Sequence, residues 1–89
     1  QATGEILHFD QFGNAISNIR QKDILELPNE TFTIECQSHQ FPLVHHYSAV
    51  SEGERLAILN SDGLLELSVC GSSAQQDLQL NRGVQIVLS

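Results

Sequence analysis

The 89-residue chain reads as an all-β domain, a small antiparallel β-barrel of about seven strands with one short helix. Three observations point there. Thr31–Gln37 alternates with a period of two, so that Phe32, Ile34 and Cys36 face one way and Thr33 and Glu35 the other, the pattern of a half-buried strand. Similar runs recur at Gly4–Phe9, Ala15–Arg20, Phe41–Val50, Arg55–Leu59, Leu64–Cys70 and Val84–Leu88. Glycine-centred turns separate several of them, and short strands at this spacing build barrels or sandwiches. Closure would remove the exposed edges that such strands leave.

Taken in order, Gly4–Phe9 and Ala15–Arg20 flank Asp10-Gln11-Phe12-Gly13-Asn14, where Gly13 can take a positive φ in a tight turn or bulge. Lys22–Leu27 reads as a short helical turn ending before Pro28, because proline pushes the preceding residue out of the helical region. In Phe41–Val50, Pro42 marks an edge position or a strand start. Glu52-Gly53-Glu54 turns into Arg55–Leu59, and Ser61-Asp62-Gly63 is a strong hairpin signal before Leu64–Cys70. The one short helix is expected near residues 73–80. Ser73 would cap its N-terminus, Gln76 stands where a capping box needs it, and Ala74, Leu78 and Leu80 offer a narrow apolar face. Asn81-Arg82-Gly83 stops that helix ahead of the last strand.

The length implies one domain over residues 1–89, with a modest core and marginal stability. The net charge of −7, with Arg20, Lys22, Arg55 and Arg82 as the fixed cations, leaves no basic stripe for phosphates. Nucleic acid and anionic membrane surfaces are therefore not expected as partners. No apolar run is long enough to span a bilayer, and the first residues do not resemble a signal peptide. The first residue is not Met, which suits an excised fragment. Cys36 and Cys70 lie on strand-like segments and read as reduced, half-buried small hydrophobes.

No nucleophile–base pair, phosphate loop or metal cluster stands out. Cys36, His39, His45 and His46 invite a metal reading, but adjacent residues on a strand face opposite ways, and Cys36-x-x-His39 lacks a second pair. Asn29-Glu30-Thr31 matches a glycosylation acceptor, read here as a chance match in a turn. Asp10, Asp62 and Glu66 are either acid–base carboxylates or turn and surface residues. Tyr47, the sole tyrosine, is either a core or rim aromatic or a platform for a ring-shaped ligand. What remains is a pair of polar glycine turns, residues 10–14 and 60–63, that look like two parts of one binding site.

Four stretches, in order, carry a family resemblance. Gly4-Glu-Ile-Leu-His-Phe-Asp-Gln-Phe-Gly-Asn-Ala-Ile-Ser-Asn-Ile19 resembles the opening strand pair of the C-terminal domain of S-adenosyl-L-methionine (SAM) hydroxide adenosyltransferases. These are the SAM hydrolases, relatives of fluorinase and chlorinase. Tyr47–Glu54, Ala57–Val69 and Gly71–Ala74, the last leading on to Leu80 and Gly83-Val84, follow in the family's order.

The resemblance implies a small antiparallel barrel from the C-terminal part of a longer two-domain protein. It implies a parent enzyme that forms adenosine and L-methionine, with its water-activating groups in an N-terminal domain and no catalytic residue here. SAM would be substrate and no cofactor would be needed. SAM would lie between this domain and the N-terminal domain of a neighbouring subunit in a cytoplasmic homotrimer.

Carried over by position, Asn14 would bond the adenine edge, Phe12 and Tyr47 would pack around the base, and Asp10 would pair with the methionine amino group. Ser61 would reach the carboxylate end, Val69 and Gly71 would present backbone to the base, and Glu66 completes the substrate-binding set. Asp62 stands where a halogenase-like member has a cation, Ile16 where it can have a large aromatic, and His46 where a small hydroxyl residue is common. With Glu66 in its Leu-Leu-Glu-Leu run, these favour the hydrolase branch. The alternative is a free-standing or degenerate barrel serving as a nucleoside-binding or oligomerisation module.

Overall fold

The structure, a computed structural model, describes residues 2–27 and 33–89. The strands are β1 (Ala2–Phe9), β2 (Ala15–Arg20), β3 (Ile34–Cys36), β4 (His39–Gln40), β5 (Arg55–Leu59), β6 (Leu64–Val69) and β7 (Gln85–Leu88). They pair antiparallel in the order β4-β3-β7-β1-β2-β6-β5. β1 serves two partners: Ala2–Glu5 pairs with β7, and Ile6–Phe9 pairs with β2 across a register shift. Such a bulge bends and twists the strand, and here it curls the sheet toward a barrel.

Residues 41–44 nearly close the ring. Phe41 N–H donates to the Ile34 carbonyl (2.9 Å) on one side, while on the other Ala57 N–H donates to the Pro42 carbonyl (2.8 Å) and Val44 N–H to the Ala57 carbonyl (2.9 Å). The barrel interior is filled by Ile6, Ala15, Ile19, Ile34, Cys36, Leu65, Leu67, Ile86 and Leu88, contributed at alternate positions by five of the strands.

The expected strand Phe41–Val50 is not one strand. Its first residues bridge β3 and β5, and it then leaves the sheet as a loop carrying a 3₁₀ turn at Tyr47–Ala49. Pro42 has no N–H to continue a ladder. His46 Nδ1 and the Ser48 hydroxyl bond each other at 2.8 Å, a local link that competes with strand pairing. The opposite-faces argument for His45 and His46 fails with the strand. Cys36 and His39 face each other across the β3–β4 hairpin, but no cluster of three or more His, Cys, Asp or Glu suited to a metal occurs among the described residues. That hairpin turns on Gln37 and Ser38, both at positive φ, without the glycine that would have advertised it.

The helices are short: α1 (Gln21–Leu25), the 3₁₀ turn, and α2 (Ala74–Asp77), which lies inside the predicted 73–80. Ser73 caps α2, its hydroxyl accepting from Gln76 N–H at 3.2 Å. Helix α2 stops early because Gln79 turns left-handed (φ 54) and Leu80 N–H returns to the Gln75 carbonyl at 3.1 Å, a Schellman closure. Pro28, Asn29-Glu30-Thr31 and Phe32 lie outside the described residues. No described helix is long and apolar enough to cross a membrane.

Candidate functional site

The site begins in one turn. Between β1 and β2, Gly13 N–H bonds the Asp10 carbonyl and Asp10 N–H bonds the Asn14 carbonyl, both at 3.0 Å. Asp10 Oδ1 accepts from the N–H groups of Phe12 and Asn14, each at 2.9 Å. Its other oxygen, Oδ2, accepts from the Asn14 side-chain amide at 3.0 Å. Asp10 is thus a turn-former first, and it fixes the orientation of the Asn14 amide, whose carbonyl oxygen and second N–H remain for a ligand. Gly13 packs against Ser73 at the start of α2, and its carbonyl accepts from Gln75 N–H at 3.0 Å, which fastens the turn to the barrel.

Opposite this turn the 3₁₀ loop presents Tyr47. Along the floor, Ser72 N–H bonds the Val69 carbonyl at 3.1 Å, bending the chain after β6 through Gly71 at φ +74. Asp10, Phe12, Asn14, Tyr47, Val69, Gly71 and Ser72 line one open groove of about 530 Å³. Phe12 is 68% exposed and Tyr47 is 45% exposed, so two aromatic side chains stand at the rim without apolar cover.

Glu66 lies beneath the groove rather than on its surface. Every residue from Leu65 to Val69 in β6 is buried, because Leu65, Leu67 and Val69 face the barrel core while Glu66 and Ser68 face the loop that carries Tyr47. Glu66 sits between its cross-strand neighbours Ile16 and Ile58, all three buried. The Tyr47 hydroxyl donates to Glu66 Oε2, and the Ser68 hydroxyl donates to the same oxygen at 3.2 Å. Burial pushes the Tyr47 phenol up to about 12, and the hydrogen bond to Glu66, the Glu66 charge and the Asp10 charge add to this against a smaller lowering by Ser68.

Of the sequence-predicted site residues, six meet at the groove: Asp10, Phe12, Asn14, Tyr47, Val69 and Gly71. Glu66 reaches it only through Tyr47. Ser61 lies apart from these six. It is exposed at the tip of the β5–β6 hairpin, at the opposite end of β6 from Val69, and does not line the groove. The length of that strand, about 17 Å at ~3.4 Å per residue, separates the two ends. Asp62 shares the hairpin tip, so the carboxylates at positions 10, 62 and 66 do not form one acid–base set. Gly71 makes room for a neighbour, too: a Cβ there would meet the Glu52 side chain at 3.1 Å. Ser72 was missed, although a small polar residue beside a turn glycine is a signal of the kind found at positions 12–14.

The comparisons with known proteins agree with one another. Residues 4–87 match the SAM hydroxide adenosyltransferase C-terminal domain. A (R)-S-adenosyl-L-methionine hydrolase from Thermus thermophilus is 38% identical over 85 residues, which are 96% of this chain and 31% of the relative. The crystal structure of a conserved hypothetical protein from Thermus thermophilus superposes with a TM-score of 0.82 at 36% identity, over 98% of this chain and 34% of that one. An uncharacterized conserved protein from Thermotoga maritima gives a TM-score of 0.82 at 27% identity, over 98% of this chain and 35% of its own. The chain therefore spans about a third of the length of these relatives. A small barrel of this topology, matched along nearly its whole length, defines the class: the chain belongs to the SAM hydroxide adenosyltransferase family and corresponds to its C-terminal domain.

Proposed function

We propose that the groove holds the adenosine part of SAM, as the binding wall of a SAM hydrolase whose reaction is attack of water at the ribose C5′ to give adenosine and L-methionine. One observation carries this reading. Residues from four separate segments, at positions 10–14, 47, 69 and 71–72, converge on one groove whose volume of about 530 Å³ lies in the range of ligand sites. The groove is flanked by two exposed aromatic rings and holds an amide whose orientation is already fixed. Such a site suits a flat heteroaromatic base with a donor beside an acceptor: the rings supply stacking, and Asn14 supplies both hydrogen-bonding partners.

The groove is open, so a second wall would come from a further domain, in a trimer from that of a neighbouring subunit. The family's water-activating groups would lie on that wall, and this chain would bind and orient the substrate without a base of its own.

The test is titration with adenosine, followed by NMR. The amide signals of residues 10–14, 47 and 69–72 are expected to shift together, with weak affinity because one wall cannot enclose the ligand. Asn14→Ala should weaken binding by about 1–3 kcal/mol, since it leaves the base edge unpaired. Shifts elsewhere on the barrel, or an Asn14→Ala variant that binds as well as the unaltered protein, would overturn the reading.

A further inference from the structure

Glu66 is a carboxylate placed where carboxylates are costly. It is 5% exposed, on the outer face of β6, between Ile16 of β2 and Ile58 of β5. An ionised group in such surroundings persists only with donors aimed at it. Two hydroxyls reach it, those of Ser68, on its own strand, and Tyr47, on the loop that follows the bridge at residues 41–44. Nothing about the hydrophobic side of β6 requires an acid here. A leucine or isoleucine would continue the apolar strip between Ile16 and Ile58. What the acid adds is a fixed acceptor under the phenol.

We propose that Glu66 is a positioning residue: it fastens the Tyr47 hydroxyl to the barrel wall and so sets the plane of the ring that faces the Asp10–Asn14 turn across the groove, without touching the ligand itself. This rests on the proposed adenosine-binding reading of the groove. The logic is one of prepaid order. Tyr47 stands on a three-residue 3₁₀ turn, 45% exposed, with no buried residue in that turn to hold it. A ring free to swing would have to be ordered on binding, and anchoring its far end removes that cost beforehand. Ser68 supports the arrangement by donating to the same oxygen, which leaves the carboxylate directed at the phenol.

The test has two independent readouts. Tyr47 is the sole tyrosine and the chain has no tryptophan, so alkaline absorbance titration of the ligand-free protein reports this phenol alone. Circular dichroism on the same samples marks where the fold is intact. Glu66 and Asp10 are the charged groups acting on the phenol. With Glu66→Leu, and in smaller measure with Glu66→Gln, the titration should move down toward the ordinary tyrosine range. An unchanged titration would overturn the anchoring, whatever the groove binds.

The second readout is a double-mutant cycle on adenosine affinity. Glu66→Leu and Tyr47→Phe are each expected to weaken binding about tenfold, the scale of one lost hydrogen bond to a charged group. Glu66→Gln, which keeps an acceptor, should restore it to within about twofold. The double variant should be no weaker than either single one, because both break the same link. Full additivity would mean that Glu66 acts on the ligand by another route, and would overturn the proposal. If the unaltered protein takes up no adenosine, the functional reading fails by itself, and the titration alone decides whether Glu66 holds Tyr47.

Discussion

Replacing Gly13 by alanine should cost far more than the same change at Gly63, although the two glycines occupy the same place in the same kind of turn. Both have positive φ, +83 and +77. Alanine in the left-handed region costs about 1–2 kcal/mol, partly offset by about 0.4–1 kcal/mol from a less flexible unfolded chain. At Gly63 nothing lies within 4 Å of the added Cβ, so the net cost should stay near 1 kcal/mol. At Gly13 the Cβ would fall 2.0 Å from Ser73 Oγ and 2.8 Å from Ser73 Cβ. Ser73 must then move. Its backbone precedes α2 and its hydroxyl caps that helix, so the movement adds about 1 kcal/mol for the lost cap and about 1–3 kcal/mol for overpacking. The sum for Gly13→Ala is roughly 3–5 kcal/mol, a large part of the stability of a small domain. Urea unfolding of the two variants, followed by circular dichroism, measures both. Equal losses would refute the claim that the first turn is locked to α2 by the absence of a side chain.

Three further outcomes are expected. Asp10→Asn should leave the free energy of urea unfolding within about 1 kcal/mol of its original value, because Asn60 shows that an amide oxygen can close this turn; adenosine affinity should fall about tenfold as the Asn14 amide loses its tether. Cys70, half-buried, should react with a thiol reagent well before Cys36, which is buried in the core and whose thiol burial pushes up to about 11; the reverse order would mean the core is wrongly assigned. Stability should fall between pH ~9 and pH ~12, because Cys36 and Tyr47 hold their protons to about 11 and about 12 in the fold and to 9.0 and 10.0 when unfolded; a stability that rises over this window in alkaline unfolding experiments would contradict both assignments.

Much of the barrel could be read from alternation and from glycine. β2, β5 and β6 follow apolar runs, and each lies beside a turn whose glycine takes a positive φ. The reading failed where other forces set the backbone. Phe41, Leu43, Val44 and Val50 have the side chains of a strand, but Pro42 and the His46–Ser48 link turn the segment into a bridge followed by a loop. Ser17 reads in the sequence as an ordinary strand residue. It is fully buried, its hydroxyl donating to the Leu65 carbonyl at 2.6 Å and accepting from Ile19 N–H at 3.1 Å, where β2 slips against β6. Nothing in the local sequence distinguishes such a serine from one on the surface. Six of the eight residues that the resemblance supplied line one groove; the spacing alone left Asp10 and Tyr47 with two readings each. Ser61 lies apart from the others because the groove gathers residues at the Val69 end of β6, whereas Ser61 precedes its other end.

The two polar turns that first suggested a single site are better understood as one backbone solution used twice. In the second, Gly63 N–H bonds the Asn60 carbonyl, Asn60 N–H bonds the Leu64 carbonyl, and Asn60 Oδ1 accepts from Asp62 and Leu64 N–H, bond for bond as in the first. The same turn geometry therefore recurs at the far end of β6, away from the groove. Three differences set the first turn apart. Position 10 carries a second acceptor oxygen that the amide at position 60 lacks, and Asn14 takes it up where Leu64 has nothing to offer. Phe12 exposes a ring where the second turn has Asp62. The first turn also faces Tyr47 and the bend at Val69–Ser72 across an open space, whereas the second ends its hairpin in solvent. On the proposed reading of the groove, what distinguishes the first turn is what the scaffold places opposite it, and a search for this groove in related sequences should weigh the tyrosine loop and its buried acid as heavily as the glycine motif itself.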